Sequence, residues 1–194
     1  MNIKQLIEEA FYEVSSNLST ETDALKLHRE RSKLFVEALA EGFRNHYKSD
    51  SYYVFSKHFE GNRKKFGVNE LLYDILVCRG AVLNSSNRHS ELTYITDSIW
   101  QVESEFARDS RQALYDFNKL IIGSSENKLF IGPQVSNEVG FLDTLAKAAK
   151  HCHATTYLAL LPHPKEWSNE KRVKCWVYEN GWKSLSGFSF QKEF

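Results

Sequence analysis

Net charge is the first thing this sequence lacks. Its 25 Lys and Arg are matched by 25 Asp and Glu over 194 residues. That excludes a global electrostatic footprint for nucleic acid or an anionic membrane surface, so a nucleic-acid partner would need a local basic patch. Cysteine is scarce as well. Cys78, Cys152 and Cys175 are odd in number and far apart, which argues against a disulfide framework and for reduced thiols in a reducing compartment. No stretch approaches the roughly 20 apolar residues of a membrane helix. The opening "MNIKQLIEEAF" holds no apolar run of signal-peptide length. Internal repeats, low-complexity segments and linkers are missing too. The expectation is a soluble cytoplasmic protein with no membrane partner. One domain would span 1–194, with N-terminal helices in 1–48 packed on a core of sheet and further helices in 49–194.

What is present suits a sizeable core, because 42% of residues are hydrophobic and 13% aromatic. Ile3, Leu6, Ile7, Ala10, Phe11 and Val14 recur at helical spacing. Thr20 or Thr22 reads as the N-cap of a long helix from about residue 22 to 46, with Leu25, Leu27, Leu34, Phe35, Ala38, Leu39 and Phe43 on one side. "SYYVFSKHF" (51–59) reads as a strand and "EGNRKKFG" (60–67) as a basic turn. "NELLYDILVCRG" (69–80) reads as a buried strand, followed by a polar loop over 81–90 and extended chain over 92–106. A helix over 107–123 stops at Gly123. Then come a strand (128–133), a helix (137–150), two strands within 155–162 and 171–179, and a terminal turn and strand in "GWKSLSGFSF". Helices, a run of strands and then α-β-α-β-β predict an α/β fold with a central mixed β-sheet flanked by helices.

The chemistry is concentrated in "IWQVESEF" (99–106). Residues i and i+2 of a strand share a face, so Glu103 and Glu105 stand side by side. The preceding apolar strand carries one charge in its apolar run, Asp74, with Glu70 on the same face by parity. Adjacent strands usually pair, which would bring these carboxylates to one corner of the sheet. Burying unpaired carboxylates costs several kcal/mol each, and a divalent cation is the usual compensation. Oxygen-only sites suit Mg²⁺, Mn²⁺ or Ca²⁺. A solvated strand edge, with Glu103 and Glu105 facing water, would show the same alternation. The flanking "IW" and "F", the lone Asp of the other run and the helix that follows favour the site.

"NELLYDILVCR" and "IWQVESEFARDSRQALYDFNKL" together resemble the PD-(D/E)XK nuclease superfamily. The shared pattern is an Asp on one strand, Glu-x-Lys on the next and then a helix, here over about 69–120 after a long helix. The resemblance implies a restriction-endonuclease-like core and Mg²⁺- or Mn²⁺-dependent hydrolysis of DNA. It implies Asp74 and Glu103 as metal ligands. Glu105 falls where most members carry Lys, a Glu-x-Glu variant that some active members share. Glu105 would then be a third ligand or the group that positions the water, with Lys119 replacing the missing Lys. Glu37 or Glu41 could supply the helix carboxylate that some members use. Cleavage of a duplex by this fold generally needs two active sites, which implies a homodimer. The alternative is a non-catalytic member that binds nucleic acid or protein within a defence or repair assembly.

Other motifs carry less. "HCH" (151–153) lacks the partners of a zinc site, and nothing marks Cys78 or Cys152 as an activated nucleophile. "NRKK" (62–65) is a solvated turn or a contact to phosphate backbone. Trp167, Trp176 and Trp182 suit sheet packing better than base stacking.

Overall fold

The computed structural model describes residues 1–16, 23–85, 90–167 and 172–185. Helices α1 (Ile3–Ser16) and α2 (Ala24–His46) precede strand β1 (Tyr52–Ser56), the short helix α3 (Arg63–Phe66) and strands β2 (Ile75–Ser85) and β3 (Ser90–Ser104). Then follow α4 (Ser110–Ile122), β4 (Asn127–Pro133), α5 (Glu138–Ala149), β5 (Thr155–Leu161), β6 (Lys174–Tyr178) and β7 (Trp182–Ser184). The strands form one seven-stranded sheet in chain order. β3, β4 and β5 run parallel, and the remaining neighbours are antiparallel. This is the mixed, helix-flanked sheet that the element order predicts.

Each face of the sheet buries its own core. On one side Phe11 of α1 and Phe35, Leu39 and Phe43 of α2 pack on Ile75, Val77, Val102, Leu129 and Ile131. On the other, Phe117 and Leu120 of α4 and Phe141 and Leu145 of α5 cover Leu76, Cys78, Phe130, Leu158 and Leu160. The central strands read as near-continuous apolar runs because both of their faces are covered. Trp167 and Trp176 are buried in these cores, as their packing reading anticipates.

Several boundaries differ from the sequence expectation. Thr20 and Thr22 lie outside the described residues. Helix α2 is capped instead by Asp23, whose side chain accepts from Leu25 N and Lys26 N. Residues 69–74 are not strand. A tight turn at Leu71–Tyr73 comes first, and β2 starts only at Ile75. The polar loop expected over 81–90 is mostly ladder, since Ala81 pairs with Tyr94 and Leu83 with Leu92. Strand pairing outweighs the polarity of "NS" at 84–85 because the alternating "SELTYITD" offers a matching partner. This ribbon runs past the sheet, because β1 pairs only with 75–79 and β4 only with 100–104. Its Val82, Leu83, Leu92 and Tyr94 are exposed. His151, Cys152 and His153 sit in the turn after α5, not on a strand. Of the expected terminal strand, residues 182–184 form β7, and 186–190 lie outside the described residues.

The end of α4 is fixed by polar contacts in the core. Lys128, with 1% of its surface exposed, donates from Nζ to the carbonyl of Leu120 and, at 2.7 Å, to that of Gly123. An ammonium there satisfies terminal carbonyls and suits the negative end of the helix dipole. Gln101 Nε2 donates to Ser124 O at 3.1 Å. Gly123 lets these groups close in, because a Cβ there would overlap Tyr73 Oη and the Gln101 amide. Gly123→Ala should therefore cost about 1–3 kcal/mol, or roughly 3–10 °C in a thermal melt for a chain of this size. An unchanged Tm would show that the contact has slack.

Candidate active site

Antiparallel register creates the acidic cluster. Ile75 lies opposite Val102, so one step outward Asp74 faces Glu103. Ile75 and Val102 face the α1–α2 core, which turns Asp74 and Glu103 toward α4. Facing positions put Cβ atoms about 4.5–5.5 Å apart, where like charges repel. Glu105 lies just beyond β3. Its N–H still bonds to Ile131 O at 2.9 Å, and its side chain returns to the same side. Asp74 raises the pKa of Glu103 and of Glu105. Asp74, Glu103 and Glu105 thus share one electrostatic site.

The structure answers the repulsion with hydrogen bonds and a cation. Asp74 Oδ2 accepts from Ser104 N at 2.9 Å and from Ser104 Oγ at 2.6 Å. Glu105 Oε1 accepts from Ala107 N at 2.6 Å. Lys119 Nζ stands 3.1 Å from Glu103 Oε2 and 2.8 Å from Asp116 Oδ1. The sequence therefore points to a Lys that does reach the motif Glu. Partial burial works against the ammonium, but the bonds to Asp116 and Glu103 outweigh it and raise its pKa.

Glu103 is the unusual group. Only 1% of the residue is exposed, and Oε1 is buried with no hydrogen-bond partner. Burial first, and the Asp74 charge second, push its carboxyl up to about 8 against the pull of Lys119. Glu105 is raised by burial, with Asp116 adding to the rise and the Ala107 bond opposing it. Tyr73 shares the environment, since burial and then the Glu103 charge raise its phenol.

Asp116 is the residue that sequence reasoning misses. Its signal is its position three residues before Lys119, where a helix places both side chains together. Other candidates stand elsewhere. Glu37 accepts from Ser56 Oγ and His58 N, and Glu41 pairs with Arg44. Both serve the packing of α2 on β1. Glu70 is exposed in the segment before β2. Burial pushes the Cys78 thiol up to about 12 and also raises that of Cys152, which suits neither for nucleophilic work at neutral pH.

A tight backbone turn delivers Asp74. Tyr73 N bonds back to Leu71 O at 2.8 Å, and Leu72 between them has φ 67°. This is the signature of a strained three-residue turn. Leu72 is 79% exposed there, so no side-chain burial offsets the strain.

In chemistry, carboxylate oxygens are the donors that a hard divalent cation takes, and Glu103 Oε1 is a buried oxygen with no hydrogen-bond partner. Among the described residues, however, no three His, Cys, Asp or Glu side chains stand grouped as a cation-binding set. Ser104, Ala107 and Lys119 occupy part of the coordinating capacity. Comparison with known proteins adds no assignment: no family model matches the chain, and a search of curated proteins also gives no match.

The raised Glu103 pKa has a definite sign. The fold favours the protonated form, so this stability is complete below the ordinary value of 4.5 and is lost as pH rises to about 8. Glu103→Gln should keep the low-pH stability at high pH. Unfolding free energies from urea melts at pH 5, 7 and 9 should fall for the wild type relative to the variant, by about 2–4 kcal/mol in all. Parallel pH profiles would refute the assignment.

Proposed function

We propose that this protein is a Mg²⁺- or Mn²⁺-dependent nuclease that hydrolyses DNA phosphodiester bonds on a restriction-endonuclease-like core. The observation that carries the reading is the buried, unpartnered Oε1 of Glu103 directly across the ladder from Asp74. The element order supports it as well: a long helix, three antiparallel strands, a helix and a parallel strand. In that core the acidic residues lie at the shared end of the second and third strands.

Asp74 and Glu103 hold the cation, with Ser104 fixing Asp74 through its N–H and hydroxyl. Glu105 completes the cluster, as a ligand or by orienting the attacking water. When bound, the cation supplies an activated water and neutralises charge on the phosphoryl oxygens. Lys119 keeps its proton on Nζ, so it serves as a donor toward the developing negative charge and not as a base. Asp116 holds Lys119 in that place. Cleavage of both strands of a duplex would be the work of a homodimer.

A second reading has its own support. Lys119 already neutralises Glu103, and the side chains do not converge as a three-ligand group. Both features suit a non-catalytic member that binds nucleic acid or a protein partner.

Two measurements separate these readings. With Mn²⁺, the wild type should melt several degrees higher and Asp74→Ala should show no shift. Supercoiled plasmid should be nicked in Mn²⁺, not by Glu103→Gln, and at least about a hundred-fold more slowly by Lys119→Met. A metal-independent Tm with no nicking at high protein concentration would leave the binding reading in possession of the site.

A further inference from the structure

A cleft of about 220 Å³ opens where the end of α2, the edge strand β1 and the turn before α3 meet. Its walls carry four aromatic rings, Tyr47, Tyr52, Tyr53 and Phe59, and two cations, Arg44 and Lys65; no lining residue is acidic. The cations are arranged on the rings. The Arg44 guanidinium lies 4.1 Å from the centroid of Phe59, and the Lys65 ammonium lies 5.2 Å from that of Tyr53. Arg44 is neutralised by Glu37 and Glu41. Lys65 is exposed and makes no ion pair among the described residues, so its charge is available.

Glycine is needed for this shape. A Cβ at Gly61 would overlap the Phe59 ring, and one at Gly80 would stand 2.7 Å from the Tyr53 ring. The cleft is smaller than the usual pocket for a drug-sized ligand, so it suits one planar ring system and not a base pair. Rings that stack and an uncompensated cation beside them are the two elements of sequence-tolerant single-strand recognition.

The cleft wraps the edge of the sheet. Tyr47, Tyr52 and Val54 pack with the α1–α2 core, whereas Tyr53 pairs with Cys78 and belongs to the α4-side core, the side to which Asp74 turns. Three residues of β2 lie between Cys78 and Asp74, which puts the two about 13 Å apart along the chain. We propose that the cleft binds one unpaired nucleotide of a DNA strand, with the base among the aromatic rings and the adjoining phosphate on Lys65. This rests on the nuclease reading and adds to it the class of substrate: a strand with at least one unstacked nucleotide a short distance from the scissile bond.

Binding is measured in EDTA, so that it does not depend on cleavage. A fluorescein-labelled dodecathymidylate is titrated with the full chain and followed by anisotropy, alongside a blunt duplex of the same length. The wild type should bind the single strand more tightly than the duplex. Lys65→Gln should weaken binding about five-fold or more and lower the salt slope by about one. Phe59→Leu should weaken it at least as much without changing that slope, and circular dichroism checks that both variants fold. Asp74→Asn and Glu103→Gln should bind no more weakly than wild type. Thymidine monophosphate competing at the affinity of the oligonucleotide would keep the site but assign it to a free nucleotide. Wild-type affinity in both cleft variants, or no binding to the single strand, would overturn the proposal. Binding that depends on the cleft without any plasmid nicking would fault the nuclease reading alone.

Discussion

The repulsion between Asp74 and Glu103 is the constraint around which this structure is arranged. Two carboxylates face each other across an antiparallel ladder, and one of them is almost wholly removed from water. A charge in that position persists only if opposite charge or hydrogen bonds compensate it. Three devices do so here. Ser104 takes Asp74 with two donors, Lys119 takes one oxygen of Glu103, and the high pKa of Glu103 lets a proton take the rest. No side-chain or backbone group among the described residues bonds to the other oxygen.

The position of Lys119 depends on a cation that, unlike it, is buried. Lys128 grips the last carbonyls of α4, and Gln101 ties the loop that follows. With its C-terminal end held against β3 and β4, the helix keeps Asp116 and Lys119 above Glu103. Burial lowers the pKa of Lys128, so its place in the core also has a cost. One lysine therefore orders the backbone so that another can order the carboxylates. The pair links the packing of the α4–α5 layer to the electrostatics of the site.

Much of this was legible in the sequence, for physical reasons. Period-two alternation puts Glu103 and Glu105 on one side, and neighbouring apolar runs pair, so Asp74 meets them. Lys119 enters only through the resemblance, as a substitute for the Lys that most members carry. Other features were out of reach. A tight turn with a leucine at positive φ has no composition signal, so the residues before Asp74 read as strand. Asp116 looks like any surface acid until the register of α4 on the sheet is known. The aromatic cleft draws on residues from 44 to 65, and no local period connects them. Polar composition hid the extension of β2 and β3, because cross-strand partners and not residue type decide pairing there.

That extension has a consequence for motion. Inside the sheet each central strand is bonded on both sides, whereas over 81–85 and 90–95 the described ribbon pairs only β2 with β3. Such a pair is marginally stable without further support, and local opening is easiest where few neighbours must separate. Its amide protons should trade with deuterated solvent long before those of β4 and β5. The molecule thus carries a soft, partly apolar arm on a rigid body.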